Sequence, residues 1–303
     1  MPASASAYTG QLAALGTAFC WAFSALAFAT ASRRLGVMAV NLFRLVIGLG
    51  FLSLAAWGLR GLPLPVDATP RAWGWLAVSG LIGFVFGDLC LFKAYLLIGP
   101  RLASLLMSLA PLLTALIGWL VLGETLTGRD ALGMTLTVTG IGWAVLERTP
   151  AAAEGVREAH ASPAGVILGI CGALGQAGGL VLSKLGMGEY NAVAATQVRV
   201  IAGIAGFALV LTAAGRWREV AKAVHDRRGL GFATLGAFFG PFLGVSLSLF
   251  SVRHTVAGVA ASIMAVQPVL LIPLVVLLHR EKVGLGGIGG TVLATVGVAL
   301  LFL

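Results

Sequence analysis

Apolar residues fall in ten long runs, at roughly 10–30, 37–57, 73–95, 101–122, 130–147, 163–184, 191–213, 229–251, 255–278 and 284–303. About 20 mostly apolar residues are needed for a helix to cross the hydrocarbon core. Backbone N–H and C=O groups find no water there, so each run must satisfy them internally. The longest polar stretches lie at about 148–162 and 214–228. The pattern predicts an all-α polytopic membrane protein with ten transmembrane helices. The first run is too long for a signal-peptide core and lacks a basic n-region, so it is expected to remain as a span.

The same pattern is written twice. PLLTALIGWLVLGE at 111–124 returns as PVLLIPLVVLLHRE at 268–281. This shift of 157 also pairs Met107 with Met264, Gly133 with Gly290, Gly140 with Gly297, Gly83 with Gly240 and Gly87 with Gly244. Further towards the N-terminus a shift of 155 pairs Gly10 with Gly165, Arg44 with Arg199 and Gly48 with Gly203. A fixed offset over such a length marks an internal repeat. The expected units are 1–149, a linker at 150–162, and 163–303. Five helices per unit put the copies in opposite orientations, giving two inverted-topology five-helix repeats.

Composition sharpens this picture. The chain is 59% hydrophobic and 10% charged, with a mean hydropathy of +1.00, whereas soluble domains carry about 25% charged residues. No Lys/Arg run is interleaved with aromatics on a soluble segment, so the net charge of +9 points to lipid rather than nucleic acid. Thirteen Lys/Arg lie on the face holding 33–34 and 214–228, against five on the face holding 60–71 and 253. By the positive-inside rule this favours both termini outside the cytoplasm of an inner (plasma) membrane, although the first half alone splits four to three. Cys20, Cys90 and Cys171 lie in apolar runs and fit neither a disulfide framework nor a metal site. No phosphate-binding GxxxxGK[ST], HExxH or GxSxG occurs, so no catalytic residue, metal or cofactor is expected.

Candidate chemistry is sparse and lies inside the spans. Pro111 and Pro268 sit near the middle of theirs, where each leaves the carbonyl of Met107 or Met264 without a donor. They read as a pair of hinges or as two static kinks. Asp88 is the one carboxylate deep in a span, and Arg44 should reach its depth, giving an ion pair or a proton-coupling site. Arg199 finds no equivalent carboxylate, because Val245 matches Asp88. Helical spacing aligns Thr17, Trp21, Ser24 and Phe28 on one face, Gly172, Gln176, Gly179 and Ser183 on its mate, and Phe84, Asp88 and Tyr95 on a third. With Ser108 beside Pro111 and Gln267 beside Pro268, these predict a polar-aromatic cavity for a small amphipathic solute. Core or lipid contact is the alternative for the aromatics. Glu124 and Glu281 sit at surface turns, where they favour helix N-termini or form ion pairs.

ASLLMSLAPLLTALIGWLVLGETLTGRDALG and AASIMAVQPVLLIPLVVLLHREKVGLGGIGG resemble the EamA repeat of the drug/metabolite transporter superfamily. The second copy departs from it, with His279-Arg280-Glu281 in place of Leu-Gly-Glu. The resemblance implies a secondary transporter exporting small metabolites or drugs, with a cavity between halves, peripheral last helices and a monomeric or homodimeric state. Within the family the amino-acid exporters, the aromatic ones in particular, are the branch expected. It also implies cytoplasmic termini, against the charge count. An intramembrane enzyme acting on lipid-linked substrates, or a channel, is the competing reading.

Overall fold

A computed structural model describes residues 3–146, 162–267, 269–270 and 285–302. Among them all regular structure is helical. The first half contains α1 (Ala3–Leu35), α2 (Val37–Arg60), α3 (Pro70–Gly80), a π-helical segment (Leu81–Gly87), α4 (Asp88–Met107), α5 (Ala110–Leu122) and α6 (Gly128–Leu146). The second contains α7 (Pro163–Met187), α8 (Ala192–Ala213), the short α9 (Trp217–Ala223), α10 (Arg227–Ala237), a second π segment (Phe238–Gly244), α11 (Val245–His254), α12 (Ala257–Met264) and α13 (Leu285–Leu301). Six described helices are long and apolar enough to cross a membrane: Tyr8–Leu35, Val37–Arg60, Pro70–Leu91, Pro163–Met187, Ala192–Ala213 and Arg227–His254. Ala110–Leu122 and Gly286–Leu301 are apolar but shorter.

The repeat offset is visible in the backbone itself. The two π segments lie 157 residues apart, each ending in one of the paired glycines Gly87 and Gly244. Helix breaks recur at the same spacing, at Ser108–Leu109 and Ala265–Val266. The expected connection at 96–100 is corrected here. Helical geometry runs unbroken from Pro70 to Met107, while the second copy opens at Thr255–Val256. A proline such as Pro100 is tolerated in a membrane helix where neighbouring groups satisfy the freed carbonyl. Ile98 lies against Gly165 and Leu106 against Gly169, so this stretch packs on the start of α7. Pro111 is therefore no kink in a continuous span. It occupies the first turn of α5, where the missing N–H costs nothing.

Corresponding helices of the two halves meet. α1 lies on the α10–π–α11 unit, with Phe28 at Gly236, Ser24 at Gly240 and Trp21 at Gly244. α7 lies on α3–π–α4 in the matching way, with Ser183 at Ser79, Gly179 at Gly83 and Gly175 at Gly87. Two equivalent pairs pack directly and antiparallel. In one, Leu45 meets Gly203 while Ser53 meets Gln197, joining α2 to α8. In the other, Gly133 meets Leu301 while Gly140 meets Ala294, joining α6 to α13. Around these crossings the buried core divides into a cluster about Met134, Ile141, Ile263 and Met264 and another about Leu45, Leu52, Val200 and Phe207.

Lipid offers no hydrophobic drive between helices, so their association relies on close backbone approach at small residues. A methyl group on Gly140 would lie 2.4 Å from the Ala294 backbone nitrogen, which has nowhere to move. Gly140→Ala is expected to lower stability by on the order of 1–3 kcal/mol, read as a lower melting temperature of the purified protein. Gly50→Ala, facing open space on α2, should not lower it. Equal melting temperatures for the two variants would refute the close crossing.

Candidate substrate site and its ion pairs

The polar centre assembles from four helices. Asp88 opens α4 directly after the first π segment, and Arg44 of α2 donates through Nη2 to its Oδ2. Gln176 of α7 donates through Nε2 to Oδ1 at 3.3 Å. The Arg44 and Asp88 side chains are 16% and 8% exposed. Arg199 of α8, the repeat mate of Arg44, is 5% exposed. Its guanidinium carbon lies 4.9 Å from the centre of the Phe84 ring, while that of Arg44 lies 5.9 Å from Phe28. The carboxylate of Asp88 acts electrostatically on both arginines. Among the described residues Arg199 makes no ion pair, and its Nε has no hydrogen-bond partner. The sequence expectation that Arg199 lacks a carboxylate of its own thus meets a structure in which it shares the field of one. Wide π turns recur at functional sites because they alter which way the following side chains point. Here Phe84 and Asp88 come from that turn and its end.

The remaining predicted residues do not form one chamber. Ser24 donates to the Gly236 carbonyl at 3.1 Å, and Trp21 stands over Gly244 while its carbonyl accepts from Gln267 at 3.3 Å. Ser183 donates to the Gly179 carbonyl at 2.6 Å and meets the Ser79 hydroxyl at 2.7 Å. These groups occupy helix crossings. Met107 and Met264 close the helices that precede the two breaks, with Met264 buried and Met107 half-buried, and Ser108 is buried in the first break. Pro268, Glu281 and the side chain of Tyr95 lie outside the described residues. A hollow of about 450 Å³ sits elsewhere, on α2, lined by apolar Ile47, Phe51, Leu54 and Trp57 among others. None of the predicted cavity residues lines it.

A second set of charges, largely unseen in the sequence, gathers where α2, α5, α7 and α11 end. Gly123 takes φ 67° after α5, a left-handed cap that glycine adopts without steric cost. The chain then folds back, so that the Glu124 N–H donates to the Gly118 carbonyl at 3.3 Å. The Glu124 carboxylate lies where a Gly118 side chain would be, 2.9 Å from that Cβ position. There it meets Lys184 Nζ at 2.5 Å and accepts the Ala257 N–H at 2.9 Å, at the positive start of α12. Lys184 also donates to the Thr255 carbonyl at 2.5 Å. Beside them Arg60 pairs with Asp67, Tyr190 donates to Asp67 at 2.8 Å, and Arg253 pairs with Glu189. The first half is thereby tied to the second across this face.

The EamA-like transporter family model matches residues 8–146 and again 163–303. The chain belongs to the EamA-like transporter family. It is a multi-pass membrane protein of the drug/metabolite transporter type, and the Gly-Glu turn after α5 lies within the first matched repeat. No curated protein matches it. A crystal structure shares its fold with a TM-score of 0.71 at 20% identity, covering 97% of this chain and 96% of that one.

Two outcomes follow for this EamA-like transporter. Removing one member of a buried pair strands the other, which costs about 3–5 kcal/mol. Arg44→Leu and Asp88→Leu should each destabilise strongly, while the double variant should recover most of the loss in a thermal double-mutant cycle. Simple additivity would dismiss the pair. At the face, the Arg60 hydrogen bond, then that of Tyr190, holds the Asp67 carboxyl below its usual range. Burial first, then the bond to Asp67, pushes the Tyr190 phenol up to about 12. A lowered carboxyl stabilises above its unfolded pKa and stops doing so as pH falls through the folded one. A raised phenol stabilises below its unfolded pKa of about 10 and ceases to as pH rises towards 12. The melting-temperature gap between wild type and Asp67→Asn should therefore be flat from about pH 5 to 9 and shrink below about pH 4. A gap that widens on acidification contradicts this assignment.

Proposed function

We propose that this EamA-like transporter is a secondary transporter that exports small amphipathic metabolites. Amino acids with aromatic or other apolar side chains, or related drugs, are the substrate class. It works by alternating access between two inverted five-helix halves, with ten spans in all, units at 1–149 and 163–303, and a linker at 150–162. Matched discontinuities carry this reading: the π segments at Leu81–Gly87 and Phe238–Gly244, and the breaks at Ser108–Leu109 and Ala265–Val266, recur at one spacing on halves whose equivalent helices run antiparallel. Inverted repeats with broken helices give two interconvertible arrangements around a central site. The lattice of Glu124, Lys184, Thr255 and Ala257 supports one closed side, with the polar cluster of Asp88 beneath it.

The protein works in the inner membrane, as a monomer or homodimer. Its basic excess favours termini outside the cytoplasm, whereas the family habit favours inside. Proton coupling at Asp88, and hinge motion at Pro111 and Pro268, belong to the same proposal. Reconstituted protein should show saturable counter-flow of at least one member of a broad panel of amino acids and cationic drugs. Flux without saturation or counter-flow would indicate a channel. Turnover of a lipid-linked substrate with no flux would indicate an enzyme.

A further inference from the structure

From the imbalance at the polar centre we infer that Arg199 binds the carboxylate of the transported solute. The inference rests on the transport reading and narrows its substrate class to carboxylate-bearing solutes. Of two buried arginines, one from each half, only Arg44 has a carboxylate partner, so the positive charge of Arg199 is unpaired among the described residues. Arg44 is already engaged with Asp88, and the second oxygen of Asp88 accepts from Gln176. Arg199 is left over. It is nine-tenths buried and lacks an ion-pair partner among the described residues, with an unbonded Nε. A buried cation in that condition is costly unless something pairs with it.

The surroundings fit a carboxylate. Arginine offers a planar fork of donors that matches two carboxylate oxygens, which a lysine would not. Phe84 lies against the guanidinium, covering one side of the fork and adding a cation–π contact. Gly83, with no side chain, gives the guanidinium itself room, since its Cβ position is 3.2 Å from Arg199 Nη2. The cluster thus prefers an anion over the purely cationic amphiphiles that aromatic walls alone would also admit. Arg199 is a binding residue, while Arg44 and Gln176 hold Asp88 and leave the fork of Arg199 unclaimed.

The test uses the full chain in lipid nanodiscs, wild type, Arg199→Gln and Arg199→Lys, titrated with phenylacetate, L-phenylalanine and 2-phenylethylamine by tryptophan fluorescence and melting temperature. Wild type should bind the two carboxylates about tenfold or more tighter than the amine. Arg199→Gln should lose that preference and melt no lower than wild type, since an unpaired buried charge has gone. Arg199→Lys should keep the preference at reduced affinity. The inference is overturned if the amine binds as well as the carboxylates, if nothing in the panel binds, or if Arg199→Gln melts lower with its carboxylate preference intact. Should Arg199→Gln fail to fold, the wild-type selectivity and the lysine variant decide. Carboxylate binding without counter-flow would keep the site and sink the transport reading. Counter-flow confined to amines would do the reverse.

Discussion

Close approach of backbones is the constraint on which the rest depends. Gly140 and Gly297 each bring their would-be Cβ within 2.4 Å of a facing backbone nitrogen, and Gly175 comes within 2.6 Å of the Gly87 Cα. Such contact is what holds helices together where solvent cannot. It also builds the site. A Cβ on Gly80 would lie 2.3 Å from the Arg199 carbonyl oxygen, so α3 rests directly on α8 at the arginine. One turn on, Gly83 gives the guanidinium itself room and Phe84 supplies its aromatic neighbour. The glycine crossing and the charge cluster are one construction.

Charge separates what is rigid from what can be exchanged. Of the basic residues, thirteen stand with six acids on one face by the sequence reading, five with four on the other, and two with one inside the spans, which accounts for the net +9. On the sparser face Arg60, Lys184 and Arg253 each have an acidic partner. Arg60–Asp67 and Arg253–Glu189 each have an exposed member and contribute roughly 0–1 kcal/mol apiece, so they can part and re-form without threatening the fold. Lys184–Glu124 is largely covered. Arg44 and Asp88 cannot separate so cheaply, because neither has water to return to.

Much of this was legible in the residues. Hydropathy located most of the helices, and the shifts of 157 and 155 marked the repeat at whose spacing the π segments and the breaks recur. Arg44 with Asp88 followed from depth alone. What the sequence hid was where side chains point. Spacing put Trp21, Ser24 and Thr17 on one face correctly, but a face does not say what it meets, and this one meets Gly240 and Gly244. The unbroken helix through Pro100 runs against local propensity, whereas the start of α5 at Pro111 follows it, since proline suits a first helical turn. Lys184 and Glu124 are 60 positions apart and meet only because Gly123 reverses the chain.

The departure from symmetry matters as much as the symmetry. A strictly doubled protein would carry two arginines and two carboxylates at its centre, neutral overall. Here Val245 stands at the position matching Asp88, Trp21 at the position matching Gln176, and Phe28 at the position matching Ser183. One crossing therefore carries the carboxylate and amide and its mate a valine and aromatic rings in their place, while both arginines are present. Symmetry supplies the frame that brings Arg44 and Arg199 towards one level from opposite halves. The missing second carboxylate leaves Arg199 without an ion-pair partner among the described residues.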